Sequence, residues 1–196
     1  MINAFLLLLN PVATWERIAS ARRSVLLILA VNVLPLLLLV GAIEVWGLVH
    51  WGKPRSHLGH ALPLPMSAAV HYGIIKLVAQ LTLLFLAAFA MSAIGKSFRA
   101  RQTYTQAFTL VAFALMPYFT AQILHALPWF PGWIIWAGGV VLTCAPLYQG
   151  VPNILEPDPP QTFGLYLMGV IALAGLTGLA QFICNLVLRQ QIMAVI

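Results

Sequence analysis

The sequence contains very few charged side chains. Asp and Glu together number 4, Lys and Arg number 10, and only 7% of the 196 residues are charged, whereas 62% are hydrophobic. An ordinary soluble domain carries about 25% charged residues. So few charges cannot cover a globular surface in water, and the composition therefore predicts an integral membrane protein.

Patterns that would indicate catalysis or cofactor binding are also absent. The two cysteines, Cys144 and Cys184, lie far apart in apolar segments, so neither a disulfide nor a zinc site is predicted. No Gly-rich phosphate loop, GxSxG, HExxH or pair of intramembrane aspartates occurs. The sequence predicts a non-enzymatic protein with no catalytic residue, no cofactor and no metal.

The net charge of +6 would suggest nucleic acid in a soluble protein, but no basic patch interleaved with aromatic residues is present. The basic residues lie instead at the ends of apolar segments, where they orient helices against anionic lipid. Membrane lipids are therefore the expected surroundings, and nucleic acid is not an expected partner.

Five apolar segments are long enough to cross a bilayer, and they predict an all-α bundle of five transmembrane helices. A short amphipathic helix precedes them at residues 11–23, opened by Asn10-Pro11, with Trp15 as its expected interfacial anchor. We expect one domain over residues 1–196, and Pro117 predicts a kink in the third span. The predicted spans are residues 25–49, 72–94, 104–127, 133–151 and 163–188.

Lysine and arginine placement predicts the orientation. The N-terminal segment and the second connection each carry three basic residues, whereas the opposite side has Lys53, Arg55 and Arg189. Because the richer side normally faces the cytoplasm, we expect a cytoplasmic N-terminus and a periplasmic or extracellular C-terminus.

Glu44 and Lys76 are ionisable residues inside predicted spans, and Gln80 follows Lys76 by one helical turn. An isolated charge is costly in hydrocarbon, and both residues are expected at similar depth towards the outer side. These three residues form a candidate intramembrane polar patch. Its alternatives are a structural ion pair, snorkelling of Lys76 to the headgroups, or a proton or ion relay.

A second candidate site is a charged cytoplasmic surface made by two connections. It consists of Lys96, Arg99, Arg101, Glu156 and Asp158. These charges either pair with one another and hold the connections together, or form a docking surface for a protein partner or a lipid headgroup.

Histidines gather around the first outer loop, namely His50, His57, His60 and His71. Since no Cys or carboxylate completes a metal-binding spacing, we favour solvated loop histidines over a metal site. His125, near the outer end of the third span, is expected at the interface.

Three stretches resemble prokaryotic YIP-domain (Ypt-interacting protein) membrane proteins. They are Asn10-Pro11 with the Trp-containing helix after it, residues 103–117 (TYTQAFTLVAFALMP) and residues 146–152 (PLYQGVP). The resemblance implies a five-span bundle with a cytoplasmic N-terminus, in the bacterial inner membrane. Eukaryotic relatives with a longer N-terminal region are associated with Rab-type GTPases, a role we do not expect for the short segment here.

These observations favour a membrane adaptor or scaffold for protein or lipid partners. The alternative is a transporter, channel or lipid-translocating protein that uses Pro-kinked third and fourth spans and the polar patch. Small residues in the fifth span, such as Gly175 and Gly178, would suit self-association as well as packing within one chain.

Overall fold

A computed structural model describes residues 11–21, 23–54, 61–98, 100 and 102–194. A short helix precedes five helices that are long and apolar enough to span a membrane. This confirms the predicted fold class. The helices are α1 (Pro11–Ser20), α2 (Val25–His50), α3 (Met66–Ser97), α4 (Tyr104–Ala126), α5 (Gly132–Leu155) and α6 (Thr162–Ala194), and Lys53–Pro54 (β1) pairs with Ala61–Leu62 (β2) between α2 and α3.

The five spans alternate in direction, so the connections fall at two ends of the bundle. We call the end that carries α1, the α3–α4 connection and the α5–α6 connection the N-terminal end. The β1–β2 hairpin and the α4–α5 connection lie at the opposite end.

Helix α4 is the centre of the bundle. In its most apolar stretch 72% of residues are buried, against 22–39% in the other four spans. Every residue from Ala107 to Phe119 is buried. A helix that is hydrophobic all round is expected where protein rather than water or lipid surrounds it, which explains the predominantly apolar pattern after Gln106. A capping box starts the helix, since the Thr103 and Gln106 side chains each bond the other's backbone amide.

The third span is interrupted close to the proline at which the sequence predicts a kink. The α-helix is interrupted at Leu115, resumes at Met116 and tightens into a 3-10 turn from Gln122. Proline cannot donate the helical hydrogen bond and its ring crowds the preceding turn, so Pro117 accounts for the break. In the fourth span, by contrast, α5 stays α-helical through Pro146 and widens into a π-helical turn only at Val151–Leu155.

Helix α1 packs on the bundle by its apolar face, and the expectation that Trp15 anchors it in the interface is wrong. The Trp15 side chain is 0% exposed and meets Phe113 edge-on, with ring centroids 6.4 Å apart. Its indole lies against Gly150, where a Cβ would come within 2.7 Å of the ring. Because Gly150 has no side chain, it leaves space for the Trp15 indole. Trp15 is therefore buried against α5 and does not lie in the interface.

At the opposite end, Gly47 lets α2 approach α4 unusually closely. A Cβ at this position would lie 2.4 Å from the Ala126 backbone oxygen and 2.6 Å from its Cα. Backbone cannot move aside as a flexible side chain can, so only glycine fits here.

We therefore expect Gly47→Ala to destabilise the protein by about 1–3 kcal/mol, the usual cost of overpacking. Gly41→Ala in the same helix is the matched control, because a Cβ there meets nothing within 4 Å. Thermal unfolding of both variants in detergent measures the difference. Equal stability of the two variants would contradict the close α2–α4 contact.

Candidate functional site

Glu44 of α2 and Lys76 of α3 form a buried ion pair. The Lys76 Nζ atom lies 2.5 Å from Glu44 Oε2, and the two residues are 4% and 1% exposed. The Tyr72 hydroxyl donates to the other carboxylate oxygen of Glu44, at 3.3 Å. Lys76 is thus paired inside the bundle and does not snorkel to the headgroups, and the carboxylate accepts hydrogen bonds on both oxygens.

Gln80 lies beside this pair but bonds elsewhere. Its Nε2 atom donates to Gln122 Oε1 of α4 at 2.7 Å. Glu44, Lys76 and Gln80 nevertheless line one cavity of about 10 Å³ between α2 and α3. That is room for about one water molecule, so the predicted patch is gathered in space and contains no open passage.

His125 extends the polar groups to α6 and to the hairpin. Its Nε2 atom lies 3.3 Å from the Gln181 side-chain amide, and its Nδ1 atom lies 3.4 Å from Lys53 Nζ. The side chain is 3% exposed, so the expected interfacial position of His125 is wrong. Burial lowers the pKa of the Lys53 ammonium, while the charge of Glu44 raises it and that of Lys76 lowers it.

We call these groups the polar network. It consists of Glu44, Lys53, Tyr72, Lys76, Gln80, Gln122, His125 and Gln181. The sequence singled out three of them. Gln122 and Gln181 could also have been recognised in the sequence, since each is an amide inside an apolar segment. Their partners are distant in the chain, and only the packing of the helices identifies them.

Polar pairs connect all five spans. Glu44–Lys76 joins α2 to α3, Gln80–Gln122 joins α3 to α4, and His125–Gln181 joins α4 to α6. In addition, the Trp136 indole N–H donates to Thr177 Oγ1 at 3.2 Å and joins α5 to α6. Helices in lipid gain little from apolar contact alone, so such bonds and close packing hold them in a defined arrangement.

At the N-terminal end, Lys96, Glu156 and Asp158 are all exposed. Arg99 and Arg101, the other members of the predicted charged surface, lie outside the described residues. The two connections are adjacent, because the Phe98 ring fills the space beside Gly164, where a Cβ would lie 2.8 Å from it. Within the described part of the chain, no ion pair joins these three charges.

The acidic connection has an unusual backbone. Glu156 ends the π-helical turn of α5 in the left-handed region, with φ 44° and ψ 52°. This conformation ends many helices but normally falls to glycine, and it costs a non-glycine residue roughly 1–2 kcal/mol. Pro157, Pro159 and Pro160 restrict the chain that follows. The carboxylates of Glu156 and Asp158 are therefore carried on a stiff turn.

The metal alternative gains no support from the residues that can be placed. Among them, no group of three or more His, Cys, Asp or Glu side chains could hold a metal ion. His57 and His60 lie outside the described residues. His50 stacks on Trp46, and His71 contacts Gln191. Cys144 and Cys184 are free thiols.

Comparison with known proteins gives one match. Residues 5–182 match the family model of the Yip1 domain. No curated protein and no solved structure is significantly similar to the chain. The match agrees with the sequence resemblance and covers every residue of the polar network and of the predicted charged surface.

Proposed function

We propose that this chain, which belongs to the Yip1 family of multi-pass membrane proteins, is a non-enzymatic adaptor that docks a protein partner at the N-terminal end of its bundle. The family is not known as an enzyme family. The proposed location is the bacterial inner membrane, with the N-terminal end in the cytoplasm.

The carboxylates of Glu156 and Asp158 carry this proposal, because both residues are exposed and neither forms an ion pair within the part of the chain that the structure describes. Charges that only tied two connections together would be expected in contact, as Glu44 and Lys76 are. A stiff turn that holds a non-glycine residue in a strained conformation is typical of a recognition site. The Phe98–Gly164 contact supports it by fixing this turn beside Lys96, so that both signs of charge face the same compartment.

We call residues 156–160, which carry Glu156 and Asp158, the acidic turn. The negative sign of its charges favours a protein rather than a lipid as its partner. Two carboxylates repel anionic headgroups but attract a basic segment, and charge complementarity of this kind steers binding. The proposed partner therefore presents Lys or Arg side chains to Glu156 and Asp158. Self-association through α6 remains a prediction from its small residues.

Reversing the two charges of the acidic turn should abolish partner binding and leave the bundle folded. We expect Glu156→Lys/Asp158→Lys to lose crosslinking to partners that wild type captures in native membranes, because each substitution replaces attraction with repulsion. Mass spectrometry of crosslinked complexes measures the loss. The control is Arg189→Glu, which reverses an exposed charge in the last turns of α6.

A double variant that captures every wild-type partner at wild-type yield would refute the adaptor proposal. Size-exclusion chromatography in detergent, in which each variant should elute as a single species, checks that the bundle is intact.

The polar network favours a second function of another class, translocation of an ion or a lipid headgroup. A buried Glu–Lys pair beside two amides and a histidine is a common feature of transport pathways. Against it, these groups bond one another, and the cavity beside them holds about 10 Å³. A translocator would have to open this network during each cycle.

Flux measurements in proteoliposomes separate the two functions. The adaptor proposal predicts ion flux and lipid scrambling no faster than in protein-free vesicles, for wild type and for Glu44→Gln alike. Flux in wild type that is lost in Glu44→Gln, and kept in the exposed control Glu16→Gln, would establish translocation instead.

A further inference from the structure

A second cavity lies at the N-terminal end, between α1, the start of α2 and α4. Its volume is about 40 Å³, and Arg17 and Arg23 line it together with Ile18, Ile28, Thr109 and Phe113. Ile28 and Phe113 are 0% and 1% exposed and form its apolar floor. The cavity thus combines two arginine residues with a hydrophobic base.

Among the residues that the structure describes, neither arginine forms an ion pair. The ion pair found among the described residues joins Lys76 to Glu44, in the half of the bundle nearer the opposite end. Glu16 precedes Arg17 on α1 and is exposed, but successive helical residues do not face each other. Two cations around one small cavity repel each other, so an anion between them lowers the free energy of both.

The cavity lies where the chain enters the membrane. Ser24 caps the start of α2, and the next residues include Leu26 and Leu27, which are 76% and 46% exposed although apolar. Exposed leucines on a membrane-spanning helix face lipid tails. Arg17 and Arg23 therefore stand at headgroup level, directly beside a surface along which an acyl chain can lie.

We propose that this cavity binds the phosphate of an anionic glycerophospholipid. Guanidinium groups present paired N–H donors that match phosphate oxygens. Space for about three water molecules admits a phosphate group but not a whole headgroup, so the glycerol and acyl chains remain outside, along Leu26 and Leu27. The site is separate from the acidic turn and does not depend on the proposed adaptor function.

Native mass spectrometry of the full chain in detergent tests the site, with phosphatidylglycerol and phosphatidylcholine as probes. We expect wild type to retain phosphatidylglycerol preferentially. Arg17→Gln and Arg23→Gln should each weaken its retention about tenfold, the loss of one charge-assisted hydrogen bond. Arg189→Gln removes the same charge from an exposed position in α6 and should retain the lipid as wild type does.

Two further measurements test whether the guanidinium donors and the acyl chains of the lipid both contribute to binding. Arg17→Lys/Arg23→Lys keeps the charge but loses the paired donors, and it should bind more weakly than wild type and more tightly than the Gln variants. Inorganic phosphate added to the wild-type complex should not displace the lipid, because it lacks the acyl contacts.

Equal loss in Arg189→Gln, equal retention of phosphatidylcholine, or undiminished binding in the two Gln variants would overturn the site. Displacement by inorganic phosphate would overturn the lipid as its ligand and leave a free-anion site. If a Gln variant fails to fold, the Lys variant and the phosphate competition still decide the question on folded protein.

Discussion

A bilayer provides no water for polar groups, so a buried polar side chain without a partner in the protein is costly. This constraint is most severe for Glu44 and Lys76, which carry opposite charges at 1% and 4% exposure. Either charge alone would cost several kcal/mol to bury. Their contact at 2.5 Å, with Tyr72 on the remaining carboxylate oxygen, removes most of that cost. It also fixes α2 and α3 in one register, because a shift by one turn would separate the charges.

The same constraint organises the remaining spans. Gln80, His125 and Trp136 each use their polar atoms on a neighbouring helix. Glycines then allow the close contacts that these bonds require, at Gly47 against Ala126 and at Gly150 against Trp15. Helix α4 supplies partners to both sides, which is why it lies at the centre and why its kink at Leu115 matters. Beyond the break and one further α-helical stretch, Gln122 and His125 lie on a 3-10 turn, which is tighter than an α-helix.

Sequence reasoning could predict the five spans because length and hydrophobicity alone decide which segments cross a bilayer. It could also predict Glu44 and Lys76 as a site, since charges inside spans are rare. It could not predict that His125 and Trp15 are buried. Each side chain combines a ring with a polar atom, as interfacial residues often do, and His125 lies near a helix end while Trp15 lies on a short amphipathic helix. Their burial depends on Gln181 and Gly150, residues from other helices that only the packing brings near.

The two ends of the bundle differ in how their charges are paired. The polar network stabilises the membrane-embedded half near the hairpin, where Glu44 and Lys76 neutralise each other. At the N-terminal end, Glu156, Asp158, Lys96 and the two arginines of the cavity remain unmatched among the described residues. Unmatched charge is tolerated there because water and headgroups solvate it, and it is therefore available for partners.

The most direct test of this account is a double-mutant cycle on the ion pair, measured by reversible unfolding in bicelles. Glu44→Gln and Lys76→Met should each cost about 3–5 kcal/mol, because each leaves one buried charge unpaired. The double variant should cost much less than the sum of the two single variants. Glu16→Gln and Arg189→Gln change two exposed residues that do not contact each other, and their costs should add. Additive costs for Glu44 and Lys76 would contradict the central role of their contact.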